Sequence, residues 1–261
     1  EIVADDYFAA PRRKVQALRT LARQVPVVLH GVTLGLASAV PVDHKRLENI
    51  ARLLDAVQPE FWSEHLSFVR GGGIEIGHLA APPRTSSTVA GATANLTTAK
   101  ALVGARPLVE NVATLIDPPG SHYDEPTWID AILSASGCDL LLDLHNLYAN
   151  AINFGFDPLA YLARLPRERI AAVHLAGGRW IRGQSADDCR LLYDHLHDVP
   201  EPVYKLLTVV GECVMRPLMV ILERHGQYPP IEQLLEQLSH ARSALQLGRE
   251  HRAQYGQEQV T

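Results

Sequence analysis

The stretch Asp139-Leu140-Leu141-Leu142-Asp143 decides the fold that we predict for this chain. Three consecutive leucines leave the strand no polar face, and this composition is typical of a parallel strand covered on both sides. Similar apolar runs recur along the chain. Between them lie segments whose apolar residues have helical spacing, as in residues 43–57, where Asp43 is the predicted N-cap. The alternation of strands and helices predicts a parallel α/β fold.

The number of strand–helix units favours a TIM barrel over an open doubly wound sheet. About eight such units in 261 residues fit a (β/α)8 barrel. No glycine-rich dinucleotide-binding motif follows a strand, and Gly71-Gly72-Gly73 is predicted to be a turn or lid. We expect a single TIM-barrel domain over residues 1–261, with its first strand truncated. The predicted strands lie at 26–30, 61–68, 107–111, 139–143, 170–174, 191–194 and 217–223, and the predicted helices at 12–24, 43–57, 88–103, 125–136, 202–213 and 230–249, with a short one from 157.

Composition and charge exclude several classes of protein. The formal net charge is −5 and no long basic run is present, so we expect neither nucleic acid nor a membrane as partner. The three cysteines, Cys138, Cys189 and Cys213, are far apart, which predicts a reduced, cytoplasmic chain without thiolate metal sites. No apolar run approaches the roughly 18 residues of a membrane span, and no signal peptide is visible.

Polar side chains end nearly every predicted strand. The carboxyl ends of barrel strands meet at one mouth, where the active sites of TIM barrels lie. A lone buried histidine is usually only a hydrogen-bonded core residue, but several carboxylates in one apolar site raise each other's pKa unless cations are bound. Imidazoles and carboxylates together suit iron, manganese or zinc, and their number predicts two or three ions. The candidates are His30, His65, Glu110, Asp143, His174, Asp194, His195, His197 and Glu223.

Seven motifs, taken in order, resemble those of one enzyme family. They are similar to motifs of the multinuclear non-heme iron-dependent oxidative enzymes, once a domain-of-unknown-function family, whose best-known member acts in methanobactin biosynthesis. The resemblance covers essentially the whole chain. The motifs are HGVTLGLAS (30–38), SEHLSF (63–68), GHLAAPPRT (77–85), LVENV (108–112), LLLDLHNLYANAINFGFDP (140–158), VHLAGG (173–178) and ILERH (221–225).

The resemblance implies a barrel that holds two or three iron ions, with zinc or manganese as substitutes. It implies dioxygen-dependent oxidation of a ribosomally made precursor peptide, often at cysteine, with a small partner protein or domain that presents the leader of the peptide. Asn146 enters as a ligand only through this resemblance, and its other interpretation is a cap or a hydrogen-bond partner. The ligands implied are His30, His65, Glu110, Asp143, Asn146, His174, His195 and Glu223.

The chain departs from the family pattern at several of these positions. Tyr193 stands where the family has aspartate two residues before the histidine, and Asp194 is expected to substitute for it. His78 and His145 replace a family aspartate and asparagine, and both are candidates as metal ligands or as partners of ligands, as is His197. Residues 224 and 225, Arg and His, replace a Trp-Asp pair after Glu223.

Two alternatives to an iron-dependent peptide oxidase stay open. One is a divalent-metal hydrolase or isomerase of the endonuclease or xylose-isomerase type of barrel. The other is a non-catalytic relative that binds metal or a partner. The order of the motifs favours the oxidase, whereas the departures at Tyr193 and Arg224 leave room for the non-catalytic relative.

Overall fold

The protein is described by a computed structural model, which covers residues 1–182 and 189–258. The chain packs into two compact units. Unit 1 consists of residues 1–112 and 118–140, and unit 2 of residues 113–117 and 141–261. The boundary falls within one strand, Asp139–Asp143, so that its first two residues belong to unit 1 and its last three to unit 2.

Unit 1 is built on parallel strands with helices between them. The strand order is β1–β2–β3–β6, ending at β7. Register is set by pairs such as Leu29 with Trp62 and His65 with Glu110. Its elements are β1 (Ile2–Val3), a 3-10 turn (Ala4–Tyr7), α1 (Arg12–Ala22), β2 (Leu29–Gly31), α2 (His44–Val57), β3 (Trp62–His65), β4 (Phe68–Gly71), β5 (Ile74–Ala80), α3 (Ser86–Val103), β6 (Leu108–Glu110), α4 (Glu125–Ser136) and β7 (Asp139–Asp143).

Unit 2 continues the same alternation of strands and helices. Its strand order is β7–β8–β11, and β8 and β11 are parallel, with Ile221 paired to His174. A separate ribbon, β9–β10, is antiparallel. The elements after β7 are α5 (Leu144–Phe154), α6 (Pro158–Arg164), a 3-10 turn (Arg167–Arg169), β8 (Ile170–Leu175), β9 (Gly178–Arg182), β10 (Cys189–Tyr193), α7 (Glu201–Cys213), β11 (Met219–Leu222) and α8 (Ile231–Glu258).

Helix α2 shows how the pattern of the sequence becomes structure. The side chain of Asp43 accepts a hydrogen bond from the backbone N–H of Lys45 and thereby caps the first turn, as predicted. Leu47, Ile50 and Leu53 are buried along one face. Burying this face, rather than helix propensity, supplies most of the stability of such a helix.

The structure corrects three expectations about secondary structure. The strand predicted at 191–194 exists as β10, but it pairs antiparallel with β9 instead of joining the parallel strands. Helix α5 was not predicted; it begins directly after β7, with Asp143 as its N-cap. The segment after β3, expected to be a loop, is the hairpin β4–β5, and Gly71-Gly72-Gly73 forms its turn.

Among the helices in the described part of the chain, none is both long enough and apolar enough to span a membrane.

Candidate metal centre

The ends of β2, β3 and β6 bring two histidines and a glutamate together in unit 1. The Nε2 atoms of His30 and His65 each lie 3.4 Å from the same oxygen of Glu110, Oε2. All three side chains are buried. The two imidazoles meet edge to face, with ring centroids 4.6 Å apart. We call His30, His65 and Glu110 the first cluster; one ligand atom from each lies within 4.8 Å of the others.

Hydrogen bonds at the other ring nitrogens hold the imidazoles of the first cluster in place. His65 Nδ1 donates to the backbone oxygen of Gly31 at 3.3 Å, and His30 Nδ1 lies 2.8 Å from Ser63 Oγ. A carbonyl oxygen only accepts, so the proton of a neutral His65 sits on Nδ1 and its Nε2 lone pair faces Glu110. This arrangement is the one that metal-binding histidines generally have.

Glu64, the acid beside His65, has a different role. Its oxygens accept from the backbone N–H groups of His65 at 3.1 Å and Leu34 at 3.3 Å. Burial raises the pKa of Glu64, although the neighbouring His65 works against this shift. A Cβ at Gly31 would lie 2.6 Å from Glu64 Oε2, so a larger residue at position 31 would displace the carboxylate of Glu64. Glu64 therefore ties the loop after β2 to the end of β3 and belongs to no cluster of the described residues.

A second group of ligand-type side chains forms in unit 2. Asp143 ends β7, His174 lies in β8, and Glu223 follows β11. His174 Nδ1 lies 3.3 Å from Glu223 Oε2, and the ligand atoms of these three side chains lie within 4.8 Å of one another. We call Asp143, His174 and Glu223 the second cluster.

A third cluster, also in unit 2, shares Glu223 and consists of His195, Glu223 and His225. His195 Nδ1 lies 3.5 Å from Glu223 Oε2, and His225 Nε2 lies 2.8 Å from Oε1. His225 is not among the ligands predicted from the sequence, where its position marks only a departure from the family motif. The sequence does contain a signal for it. His225 lies two residues after Glu223, so it places a second ligand-type side chain at the same end of the strand.

The histidines around Glu223 keep its carboxylate charged. Burial alone would raise its pKa, but His174, His225 and His195 together lower the pKa well below its ordinary value. An anionic carboxylate among imidazoles is the state in which a cation would be bound.

Four of the predicted histidine and aspartate site residues belong to none of the three clusters among the described residues. The carboxylate of Asp194 is held by His197 Nδ1 at 2.9 Å and by Arg179 Nε at 3.4 Å. Against the effect of burial, His197 and Arg179 lower the pKa of Asp194. His197 itself is half-exposed, and His78 is exposed on β5. His145 is fully buried, and burial, followed by His195, lowers its pKa to about 4.

Asn146 lies in the first turn of α5, directly after β7. Its backbone N–H donates to Asp143 Oδ1 at 2.7 Å, so Asp143 caps this helix through one oxygen. The side chain of Asn146 is buried. Asn146 therefore lies three residues after Asp143, in the first turn of the helix that Asp143 caps.

The departures at Tyr193 and Arg224 have structural explanations. Tyr193 packs with Tyr148 against buried Leu191 and Ala149, and burial raises its pKa. Arg224 donates to the backbone oxygens of Gly226 at 2.9 Å and Gln227 at 2.7 Å and so fixes the loop after β11.

The donor sets fit a first-row transition metal. Two atoms bound about 2.1 Å from one ion lie about 3.4 Å apart at the tetrahedral angle and about 3.0 Å apart at 90°. The nitrogen–oxygen distances of 3.4 Å in the first cluster and 3.3–3.5 Å around Glu223 Oε2 have this spacing. Imidazole and carboxylate donors suit iron, zinc and manganese.

Comparison with known proteins identifies relatives over nearly the whole chain. The sequence model of the RiPP precursor modification enzymes MbnB/TglH/ChrH matches residues 1–246. A UPF0276 protein of Rhizorhabdus wittichii is 32% identical over 244 residues, which cover 93% of this chain and 84% of that protein.

Solved structures with a similar fold are much more distant in sequence. A xylose isomerase domain protein from Planctomyces limnophilus aligns with a TM-score of 0.52 at 19% identity, over 94% of this chain and 86% of that one. A xylose isomerase-like TIM barrel protein from Mycobacterium smegmatis, solved with magnesium, gives 0.53 at 11% identity, over 94% and 81%. At such identities the likeness shows the fold alone, which is an α/β, TIM-barrel-like fold.

Proposed function

Because this chain belongs to the MbnB/TglH/ChrH family of RiPP precursor modification enzymes, we propose that it oxidises a cysteine side chain of a ribosomally made precursor peptide. Dioxygen is the oxidant and two or three iron ions are the cofactor. A small partner protein or domain presents the leader of the peptide.

The geometry of the first cluster is the observation that carries this proposal. Two histidines and one glutamate present three donors to one point, with both His Nε2 atoms 3.4 Å from Glu110 Oε2. Two histidines and a carboxylate with open positions are the ligand set of many non-heme iron(II) oxygenases. Iron bound there would supply the activation of dioxygen, which is the oxidant of the proposed reaction.

The residues of the chain itself orient and shield the proposed centre. Ser63 and the backbone oxygen of Gly31 fix the imidazole rings, and burial of His30 and Glu110 keeps bulk water away. We propose His30, His65 and Glu110 as ligands in unit 1 and Asp143, His174 and Glu223 in unit 2, with Asn146 and His195 in addition. Asp194 is left out because it belongs to none of the three clusters of the described residues, and its Oδ1 is bonded to His197.

Anaerobic reconstitution with ferrous iron tests the proposal. Oxygen uptake is measured with a precursor peptide encoded beside the gene and with the same peptide carrying serine for cysteine, followed by mass spectrometry of both. We expect oxygen uptake and a mass change only for the cysteine peptide.

Two outcomes would contradict the proposed chemistry. Turnover of a sugar or phosphodiester under zinc or manganese, without a change in peptide mass, would assign a hydrolase or isomerase instead. Full iron loading without turnover of the peptide would assign a non-catalytic, metal-binding relative.

A further inference from the structure

The carboxylate of Glu223 divides its two oxygens between different histidines. Oε2 lies 3.3 Å from His174 Nδ1 and 3.5 Å from His195 Nδ1. Oε1 lies 2.8 Å from His225 Nε2. Glu223 therefore contributes to the second cluster through Oε2 and to the third through both oxygens, which face His195 and His225.

The backbone holds His225 and His195 next to each other. The N–H of His225 donates to the backbone oxygen of His195 at 2.9 Å, and their ring centroids lie 4.6 Å apart, edge to face. His195 has a positive φ of 54°, a left-handed conformation that non-glycine residues rarely adopt. Such conformations collect at functional sites, where the surrounding structure compensates for the strain.

We propose that His225 is a metal ligand, and that with His195 and Glu223 it forms a two-histidine, one-carboxylate site. The inference rests on the proposed function for the identity of the metal, iron. It assigns a ligand role to a residue that stands where the family motif has another type, and it does so from geometry within unit 2 alone.

His225 makes up for a carboxylate that this chain does not supply. The motif resemblance implies an aspartate at position 193, where Tyr193 packs, as Tyr148 does, against the buried cluster that contains Leu191 and Ala149. The next candidate, Asp194, is engaged by His197 and Arg179. His225, which follows β11, therefore supplies a donor in place of the aspartate that the resemblance implies at position 193.

The exchange of a carboxylate for an imidazole changes the chemistry of this site. The ligand set loses one negative charge, so it favours a divalent ion over a trivalent one. The side chain of His225 is 50% exposed, whereas that of Glu223 is 9% exposed. The site is therefore open toward solvent on the His225 side, where an exchangeable ligand has access.

The competing interpretation is that His225 only donates a hydrogen bond to Glu223. Glutamine separates the two roles because its amide donates a hydrogen bond but is a poor metal ligand. The experiment loads wild type and the variant His225→Gln anaerobically with ferrous iron, and separately with cobalt(II). Metal per chain is measured by mass spectrometry, and the cobalt absorption spectrum reports the coordination.

A matched control is available in the same unit. His197 is also half-exposed and also contacts a carboxylate, with Nδ1 2.9 Å from Asp194, but it belongs to no cluster of the described residues. We expect His225→Gln to bind one ion fewer per chain and to change the cobalt spectrum, and His197→Gln to match wild type. Full metal content in His225→Gln would overturn the proposal, as would an equal loss in His197→Gln.

Failure of this inference is distinguishable from failure of the proposed function. If wild type binds no metal, the ligand role of His225 and the proposed function are both refuted. If wild type is fully loaded and His225→Gln does not differ from it, only the ligand role of His225 falls. If His225→Gln loses an ion but wild type leaves the cysteine peptide unmodified, the ligand role stands and the oxidative chemistry falls.

Discussion

At the scale of single residues, the first cluster depends on partners that do not themselves touch a metal. Ser63 and the backbone of Gly31 hold the far side of each imidazole, so the near side presents Nε2 to Glu110. Such partners are commonly needed nearly as much as the ligands. Loss of a ligand and loss of the partner of a ligand should therefore differ in how strongly they affect metal binding.

Replacing Glu110 by alanine should remove the ion of the first cluster without unfolding the protein. The two imidazoles lose the anionic donor that they share, while the apolar packing of the strands persists. Metal content and circular dichroism are measured on the same sample, with the exposed Glu48→Ala as control. A folded Glu110→Ala variant with full metal content would show that Glu110 is not a ligand.

Replacing Ser63 by alanine should weaken metal binding about 10–100-fold, the usual effect of losing a partner of a metal ligand. The hydroxyl lies 2.8 Å from His30 Nδ1, so the ring loses one of its restraints. Ser67 is equally buried and follows the same strand, and it serves as the control. Competition with a chelator measures both affinities; equal values for Ser63→Ala and Ser67→Ala would refute the orienting role.

The residues of the clusters were largely predictable from the sequence, because each ends or follows an apolar strand. His30, His65, Glu110, Asp143, His174, His195 and Glu223 were candidates, and the structure brings them into the three clusters. His225 was missed, since motif comparison records a substitution without showing where the new side chain points. His78 and His197 are on exposed positions that periodicity alone does not separate from buried ones.

At the scale of elements, the strands and most helices were predictable from apolar periodicity and caps, and the ribbons were not. Residues 191–194 carry the apolar composition of a strand, but which strand they pair with is decided by tertiary contacts, here by β9. Helix α5 begins at Leu144, directly after β7 and without an intervening loop, so no turn residues marked its start in the sequence.

The hairpin β4–β5 is fastened to the loop after β2 by charged side chains. Glu75 Oε1 accepts from Arg46 Nη2 at 2.8 Å and from Arg70 Nη1 at 3.1 Å. Both arginines also donate to the backbone oxygen of Thr33, three residues after His30. Arg70 thus ties β4 to the loop after β2 directly, and the exposed carboxylate of Glu75 links Arg70 to Arg46.

Replacing Glu75 by alanine should raise hydrogen exchange in β4 and β5 with little effect on global stability. Exposed ion pairs contribute roughly 0–1 kcal/mol, so the change is local. Exchange mass spectrometry and urea unfolding are compared with Glu60→Ala, a carboxylate without these partners. Unchanged exchange across residues 68–80 would show that the arginines hold the hairpin without Glu75.

At the scale of the whole molecule, fold and family agree. The parallel strands and the TIM-barrel-like fold were anticipated by the alternation of strand and helix patterns. The family match over residues 1–246 was anticipated by the order of the motifs. What the sequence left undetermined is how many ions are held and by which atoms. Both depend on differences of a few tenths of an ångström between ligand atoms, which the spacing of motifs along the sequence does not determine.

The central claim is that the first and second clusters hold iron. Anomalous diffraction from anaerobically grown, iron-loaded crystals tests it most directly, with data collected above and below the iron absorption edge. We predict one iron peak about 2.0–2.2 Å from the Nε2 atoms of His30 and His65 and from Glu110, and another at the same distances from Asp143, His174 and Glu223. Crystals of protein that oxidises its peptide but shows no iron peak at either cluster would contradict the account.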